Sequence, residues 1–339
     1  MTIETKRTLR TRRWTDGKLI DEDFALTEVA RHLADRDALV WVDLWDPDHD
    51  DLLALAREWD LDEHAVEDSL ARGERTKATL YPTHTFFTVY ATHLRPASDP
   101  ETEEHQSRLS TTRISAFVLP RGIITVRRGA PFDIDEVVRR WDDNPDLLRH
   151  GPGALLHGLL DVVVDGQFET IQQLDDTAEE LEDLLFDGQS STKRIQRRVY
   201  RLRKELVELR RVVLPMREVI NAVMRHRAEH PLAPELDSWY TDLYDHAIRA
   251  TEWTESLRDM VTTIFETNLS LQDARLNVVM KKLTGWAAII AVPTAVTGWY
   301  GMNVPYPGFD EPAGLITAAL VIVLSAGGLY VLFKQRDWL

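Results

Sequence analysis

Two stretches near the C-terminal end carry no charged side chain, residues 283–302 and residues 313–333. At about 1.5 Å of rise per helical residue, each is long enough to cross a hydrocarbon core of roughly 30 Å. Trp286 near one end of the first run, and Trp299 and Tyr300 near the other, stand where amphipathic rings meet lipid headgroups. The pattern predicts a hairpin of two helices spanning a lipid bilayer. The connection, 304–312, holds Asp310 and Glu311 and no basic residue, whereas Arg275, Lys281 and Lys282 precede the first run and Lys334 and Arg336 follow the second. The excess of cations on one side predicts cytoplasmic termini, an outward-facing connection and a basic tail over 334–339.

Upstream, the hydrophobic pattern changes twice. Residues 39–44 read as a short buried strand, and Asp50 or Asp51 is placed to cap a helix that opens with Leu52 and Leu53. Residues 79–94, 111–119 and 121–127 are rich in β-branched and aromatic side chains and predict a small sheet, with Arg121-Gly122 turning between the last two strands. His84, Tyr90 and His93 fall in those strands as packing residues, and the polar residues 97–106 read as an exposed loop. From Gly153 the signals become helical. One helix runs over about 154–186 and gathers an acidic run from Asp175 to Asp187, a solvated face or a collector of counter-ions. After a turn at Gly188-Gln189-Ser190, the positions Val199, Leu202, Leu206, Leu209, Val213, Met216, Ile220 and Val223 alternate spacings of three and four, a packing seam that Pro215 should bend. Beyond Pro234 no proline recurs until Pro293, which predicts one helix on the order of 100 Å long reaching Asn303. Leu257, Val261, Ile264, Asn268 and Leu271 give it a face suited to packing against copies of itself.

The fold class that follows is an α/β cytoplasmic domain (1–150), long antiparallel helices (151–234), a stalk helix continuing into the first span (235–303), a short outer loop and a second span, mainly α overall. A formal net charge of -16 argues against a nucleic-acid partner and suits attraction of cations. Cysteine is absent, so no disulfide, thiol nucleophile or thiolate metal site enters. Residues 1–14 are rich in Lys and Arg without a following apolar core and read as a flexible arm, not a secretory signal.

Several motifs invite a chemical reading. Asp46, Asp48 and Asp50 have the alternate spacing of a calcium loop, but Asp51 stands where its glycine belongs and Arg57 where its bidentate glutamate belongs. His226-Arg227-Ala228-Glu229-His230 matches a zinc-protease pattern, yet Pro231 puts it on a fraying helix end. A membrane-anchored zinc hydrolase is retained as an alternative from another class, as is a two-span sensor.

Asn277-Val278-Val279-Met280-Lys281-Lys282-Leu283-Thr284, a proline-bearing apolar helix, Tyr300-Gly301-Met302-Asn303 and a second span closing in Trp338-Leu339 together resemble the CorA-type divalent-cation channels. Residues 209–218 are also similar. The Gly-Met-Asn tripeptide is short; its position at the outer end of the first of two spans carries the resemblance. The resemblance implies a non-enzymatic homopentamer carrying hydrated Mg2+ inward across the cell membrane, with Co2+ or Ni2+ as further cargo, and it includes ZntB-like zinc transporters. It implies a selectivity filter at Gly301, Met302 and Asn303, pore positions at Asn277, Leu283, Thr294 and Gly298, and regulation by intracellular Mg2+ held at Asp242, with Glu266 a second acid. From spacing alone, Asn277, Thr284, Ala291 and Gly298 recur every seven residues, with Met280, Ala287, Thr294 and Gly301 offset by three, so one helix face is small or mildly polar. Ala291 is smaller than the family's usual residue and Pro293 is displaced by one position.

Overall fold

The computed structural model describes residues 9–71, 73–96, 107–186, 192–229, 233–302, 305, 307–309 and 311–339. Among the described residues, seven strands form one sheet in the order β2-β1-β3-β7-β6-β5-β4. They are β1 (Leu9–Thr15), β2 (Lys18–Glu22), β3 (Ala38–Trp45), β4 (Lys77–Leu80), β5 (Thr85–Leu94), β6 (Leu109–Leu119) and β7 (Gly122–Gly129). Only the central β3–β7 pair is parallel, with Asp43 beside Thr125; every other ladder is antiparallel. Ten α-helices accompany them among the described residues: α1 (Leu26–Ala34), α2 (His49–Glu58), α3 (Glu63–Leu70), α4 (Ile134–Asp142), α5 (Pro145–Leu148), α6 (Pro152–Phe186), α7 (Thr192–Val213), α8 (Met216–Glu229), α9 (Asp237–Tyr300) and α10 (Pro312–Gln335).

The chain divides into two compact units, Met1–Ile264 and Phe265–Leu339. In the first, β3 is buried on both faces because helices cover the sheet on both sides. Its residues alternate as a pleated strand must: Leu39 and Trp41 join the core shared with α4, α6, α8 and the start of α9, whereas Val40, Val42 and Leu44 join the core under α2 and α3. The second unit contains the C-terminal part of α9 and α10. Phe333 stacks on Trp338 at 5.4 Å between centroids, and a Cβ at Gly285 would lie 3.5 Å from Leu339.

Several expectations are corrected. The sheet is larger than the three predicted segments, and residues 79–94 are two strands folded as a hairpin, with His84 in the turn between them. The basic residues of 9–14 form β1 and find acids on neighbouring elements instead of lying in a loose arm. Arg10 meets Asp135 at 2.6 Å and Arg12 meets Asp142 at 2.8 Å, both acids on α4. Helix α2 begins at His49, so Asp50 and Asp51 lie in its first turn and do not cap it. At Pro215 the helix ends and restarts as α8, because proline lacks the donor and crowds the preceding turn. The seam residues from Val199 to Val223 are nevertheless all buried. Leu257, Val261 and Ile264 are at most 3% exposed within the single chain, so that part of the supposed self-packing face is already covered. Helix α9 stops at Tyr300, short of Asn303. The loop 97–106, the turn 188–190, and Asp187, His230, Pro231, Asn303 and Asp310 lie outside the described residues.

Candidate functional site

Within the second unit, α9 runs through Pro293 without ending. The proline removes the donor that would bond Ile289 O, and the neighbouring threonines tie back to their own helix: Thr294 Oγ1 donates to Ile290 O at 3.0 Å and Thr297 Oγ1 to Pro293 O at 2.9 Å. Each hydroxyl hydrogen is thereby committed to the helix, leaving oxygen lone pairs as the outward-facing character of those residues.

At about 100° per residue, Asn277, Leu283, Ala287, Ala291, Thr294, Gly298 and Gly301 fall within an arc of about 120°. Every one of them is exposed in the single chain, with Leu283 62% exposed. A Cβ at Gly298 would meet nothing within 4 Å, whereas Gly285, outside that arc, faces Phe333 and Leu339. One side of the helix therefore packs on the chain's own C-terminal segment, and the rest is left uncovered, the small, mildly polar arc together with the flanking Trp286 and Ile290, 52% and 63% exposed. Met302 is 41% exposed; Asn303 lies outside the described residues. By length and composition two helices can cross a membrane, with mean hydropathy 1.2 for the most apolar part of the first and 2.4 for α10.

The proposed regulatory acids are in different settings. Asp242, on the first turns of α9, has a side chain 74% exposed and lies 3.8 Å from His246 Nε2. Glu266 is exposed, in the second unit. Beside Asp242, within the first unit, stands a group that sequence reasoning missed: ligand-type atoms of Asp161, Asp165 and His246 lie within 4.8 Å of one another. Asp161 and Asp165 are one turn apart on α6, following His157, and that i, i+4, i+8 row of ionisable groups was the available signal. Arg140 of α4 donates to both, at 2.8 Å to Asp165, so the pair already has a counter-charge. Burial pushes the Asp161 carboxyl up against the pull of Arg140, and burial pushes His157 down. His226 sits on the last turn of α8, and its supposed partner His230 is outside the described residues.

Residues 36–335 match the family model described as "CorA-like Mg2+ transporter protein". The chain is 28% identical over 327 residues to the cobalt/magnesium transport protein CorA of Thermotoga maritima, covering 94% of this chain and 89% of that protein. It is 24% identical over 231 residues to the zinc transport protein ZntB of Pectobacterium carotovorum, covering 67% and 68% respectively. Among solved structures, the complete CorA magnesium transporter from Methanocaldococcus jannaschii superposes with a TM-score of 0.75 at 21% identity, covering 98% of this chain and 99% of that one.

Proposed function

The chain belongs to the CorA-like Mg2+ transporter protein family, and from that premise we propose that it assembles as a homopentamer whose α9 helices enclose a path for hydrated Mg2+ into the cytoplasm. Members of the family are transporters and not enzymes, so the zinc-hydrolase alternative does not hold. The observation that carries the reading is the uncovered arc from Asn277 to Gly301. It is uncharged, poor in bulk, and continuous along a helix apolar enough to span a bilayer.

The chemistry of the arc suits an ion that keeps its water. Magnesium sheds its hydration shell reluctantly and prefers oxygen ligands. A ring of Asn303 amide oxygens with Gly301 carbonyls beside it accepts hydrogen bonds from bound water without stripping it. Met302 completes this proposed filter, the ring at Leu283 supplies an apolar constriction able to close by dewetting, and the Thr294 oxygens add weak acceptors between them. A membrane potential negative inside drives the cation inward. At high internal Mg2+, the exposed Asp242 carboxylate bridges to a neighbouring subunit and holds the path shut, with Glu266 as an accessory acid. A zinc cargo is the second reading, favoured by the similarity to ZntB. Against it, residues 283–339 contain no His or Cys, the ligands zinc prefers.

Uptake by proteoliposomes tests the assignment. Gly298→Leu adds bulk where this chain has none, so it should leave expression and assembly intact and abolish Mg2+ uptake; unchanged uptake would turn that face toward lipid. In the same assay Asp242→Lys should relieve inhibition by internal Mg2+, and inhibition retained in full would remove Asp242 from the regulatory role.

A further inference from the structure

Helix α10 ends at Gln335 in a turn that brings Leu339 back to α9. Asp337 is left-handed, with φ 56°, and two hydrogen bonds close the turn, from Trp338 N to Phe333 O at 2.9 Å and from Asp337 N to Lys334 O at 3.4 Å. That is the bonding of a Schellman motif, and its usual apolar contact is present: the Trp338 indole stacks on Phe333, with 5.4 Å between centroids and 9° between planes. The left-handed position ordinarily takes glycine. Aspartate adopts it less readily, so contacts made beyond the turn help to hold it.

Those contacts fall on Gly285, the one buried residue between positions 269 and 300. A Cβ there would meet Leu339 at 3.5 and 3.6 Å and Phe333 at 3.7 Å, and nothing nearer outside its own helix. The seat on α9 is therefore filled by Leu339, and a long side chain at 285 would displace it. Gly285 opens a row with Ile289, Val292, Val296 and Tyr300 that is partly or fully covered, whereas every residue of the arc is exposed. At about 100° per residue, Gly285 and Leu283 stand about 160° apart on the helix. Leu339 thus bears on α9 directly behind the residue that the conduction reading makes its constriction.

We propose that Asp337, Trp338 and Leu339 are positioning residues for the path: the turn and the stacked rings set Leu339 against Gly285, and that contact fixes the rotation of α9 at which Leu283 faces the axis. Close packing transmits the placement, because a side chain withdrawn from the seat leaves the helix free to turn.

The proposal rests on the reading that Leu283 lines a path shared by several copies, and the test separates the two. The chain holds no cysteine, so Leu283→Cys in the full chain is the sole reporter. In proteoliposomes, oxidation with copper phenanthroline should join copies, since a disulfide needs Cα atoms within about 7 Å of each other. Adding Leu339→Gly or Gly285→Leu should abolish the joined species on a denaturing gel while the native mass of the assembly stays the same. Combining the two should restore it, because one leucine side chain again fills the seat, now from α9. At the exposed turn, Asp337→Gly should keep the cross-link and Asp337→Val should lose it, since a β-branched residue is an outlier at positive φ. This pair decides the matter where Gly285→Leu does not assemble. Cross-links undiminished in Leu339→Gly and Asp337→Val, or a combined variant no better than Gly285→Leu alone, would overturn the proposal and leave the shared path standing. An absence of cross-links in Leu283→Cys with residues 337–339 unaltered would overturn both.

Discussion

Asp43 and Arg127 form the most deeply buried ion pair found among the described residues, with side chains 1% and 6% exposed. Arg127 donates to both carboxylate oxygens, at 2.6 Å to Oδ2 and 2.9 Å to Oδ1, Thr125 Oγ1 donates at 2.7 Å, and the guanidinium lies over Trp45 at 4.8 Å. Removing one partner leaves a buried charge unpaired, so Asp43→Ala should cost about 3–5 kcal/mol in chemical denaturation. Replacing both, as Asp43→Leu with Arg127→Met, should recover most of that loss. His84 gives a pH dependence. Burial lowers its pKa from 6.5, with Asp62 and Asp60 opposing in part. The unfolded chain therefore binds the proton first as pH falls, and the stability contributed by the neutral ring is full above about pH 6.5 and lost below it. Between about pH 7 and pH 5, His84→Phe should flatten the fall in thermal unfolding temperature; an unchanged slope would place the titrating group elsewhere. At this scale the sequence was legible wherever a motif is linear. The proposed positions from Asn277 to Asn303 rest on a linear motif and the family resemblance it carries, whereas the buried ring of His84 and the Asp161–Asp165–His246 group depend on which chain segments meet in space.

Helix α4 lies on α6 through a close approach that only glycine permits. A Cβ at Gly158 would stand 2.5 Å from Trp141 Nε1, and Trp141 cannot retreat because Trp41 and Trp14 pack edge-on against it at 4.9 and 5.9 Å. Gly158→Ala gains about 1 kcal/mol of helix propensity but incurs about 1–3 kcal/mol of overpacking and strains the Trp141 hydrogen bond to Leu155 O, so a net loss of stability is expected. Gly166→Ala, on the same helix, is the contrast: its nearest neighbour would be 3.7 Å away, and a gain of up to about 1 kcal/mol is expected. If denaturation ranked the two variants in the opposite order, the packing argument would fail. The long elements were legible because their periods persist: α6, the α7–α8 seam and the two spans all appear where the pattern put them. The β1–β2 hairpin was not, although Asp16-Gly17, both at positive φ, is a strong two-residue turn signal. Its strands are short, one edge strand is exposed throughout, and arginines that are in fact ion-paired looked like a solvated arm. The face from Leu257 to Ile264 misled for the converse reason, since periodicity tells that a stripe is buried and not whose residues bury it.

For the whole molecule, a net charge of -16, two apolar helices at one end of the sequence and an uncovered arc of small residues on the first of them form one consistent description of a cation conductor. The acidic balance raises the local concentration of cations, while the arc itself, free of charge, would hold no ion tightly enough to stop it. The measurement that bears most directly on this is uptake of Mg2+ by proteoliposomes holding only the purified chain, with an inside-negative potential imposed. The account predicts saturable Mg2+ entry that grows with the potential and is lost in Asn303→Ala; vesicles that stay sealed to Mg2+ at every potential would contradict it.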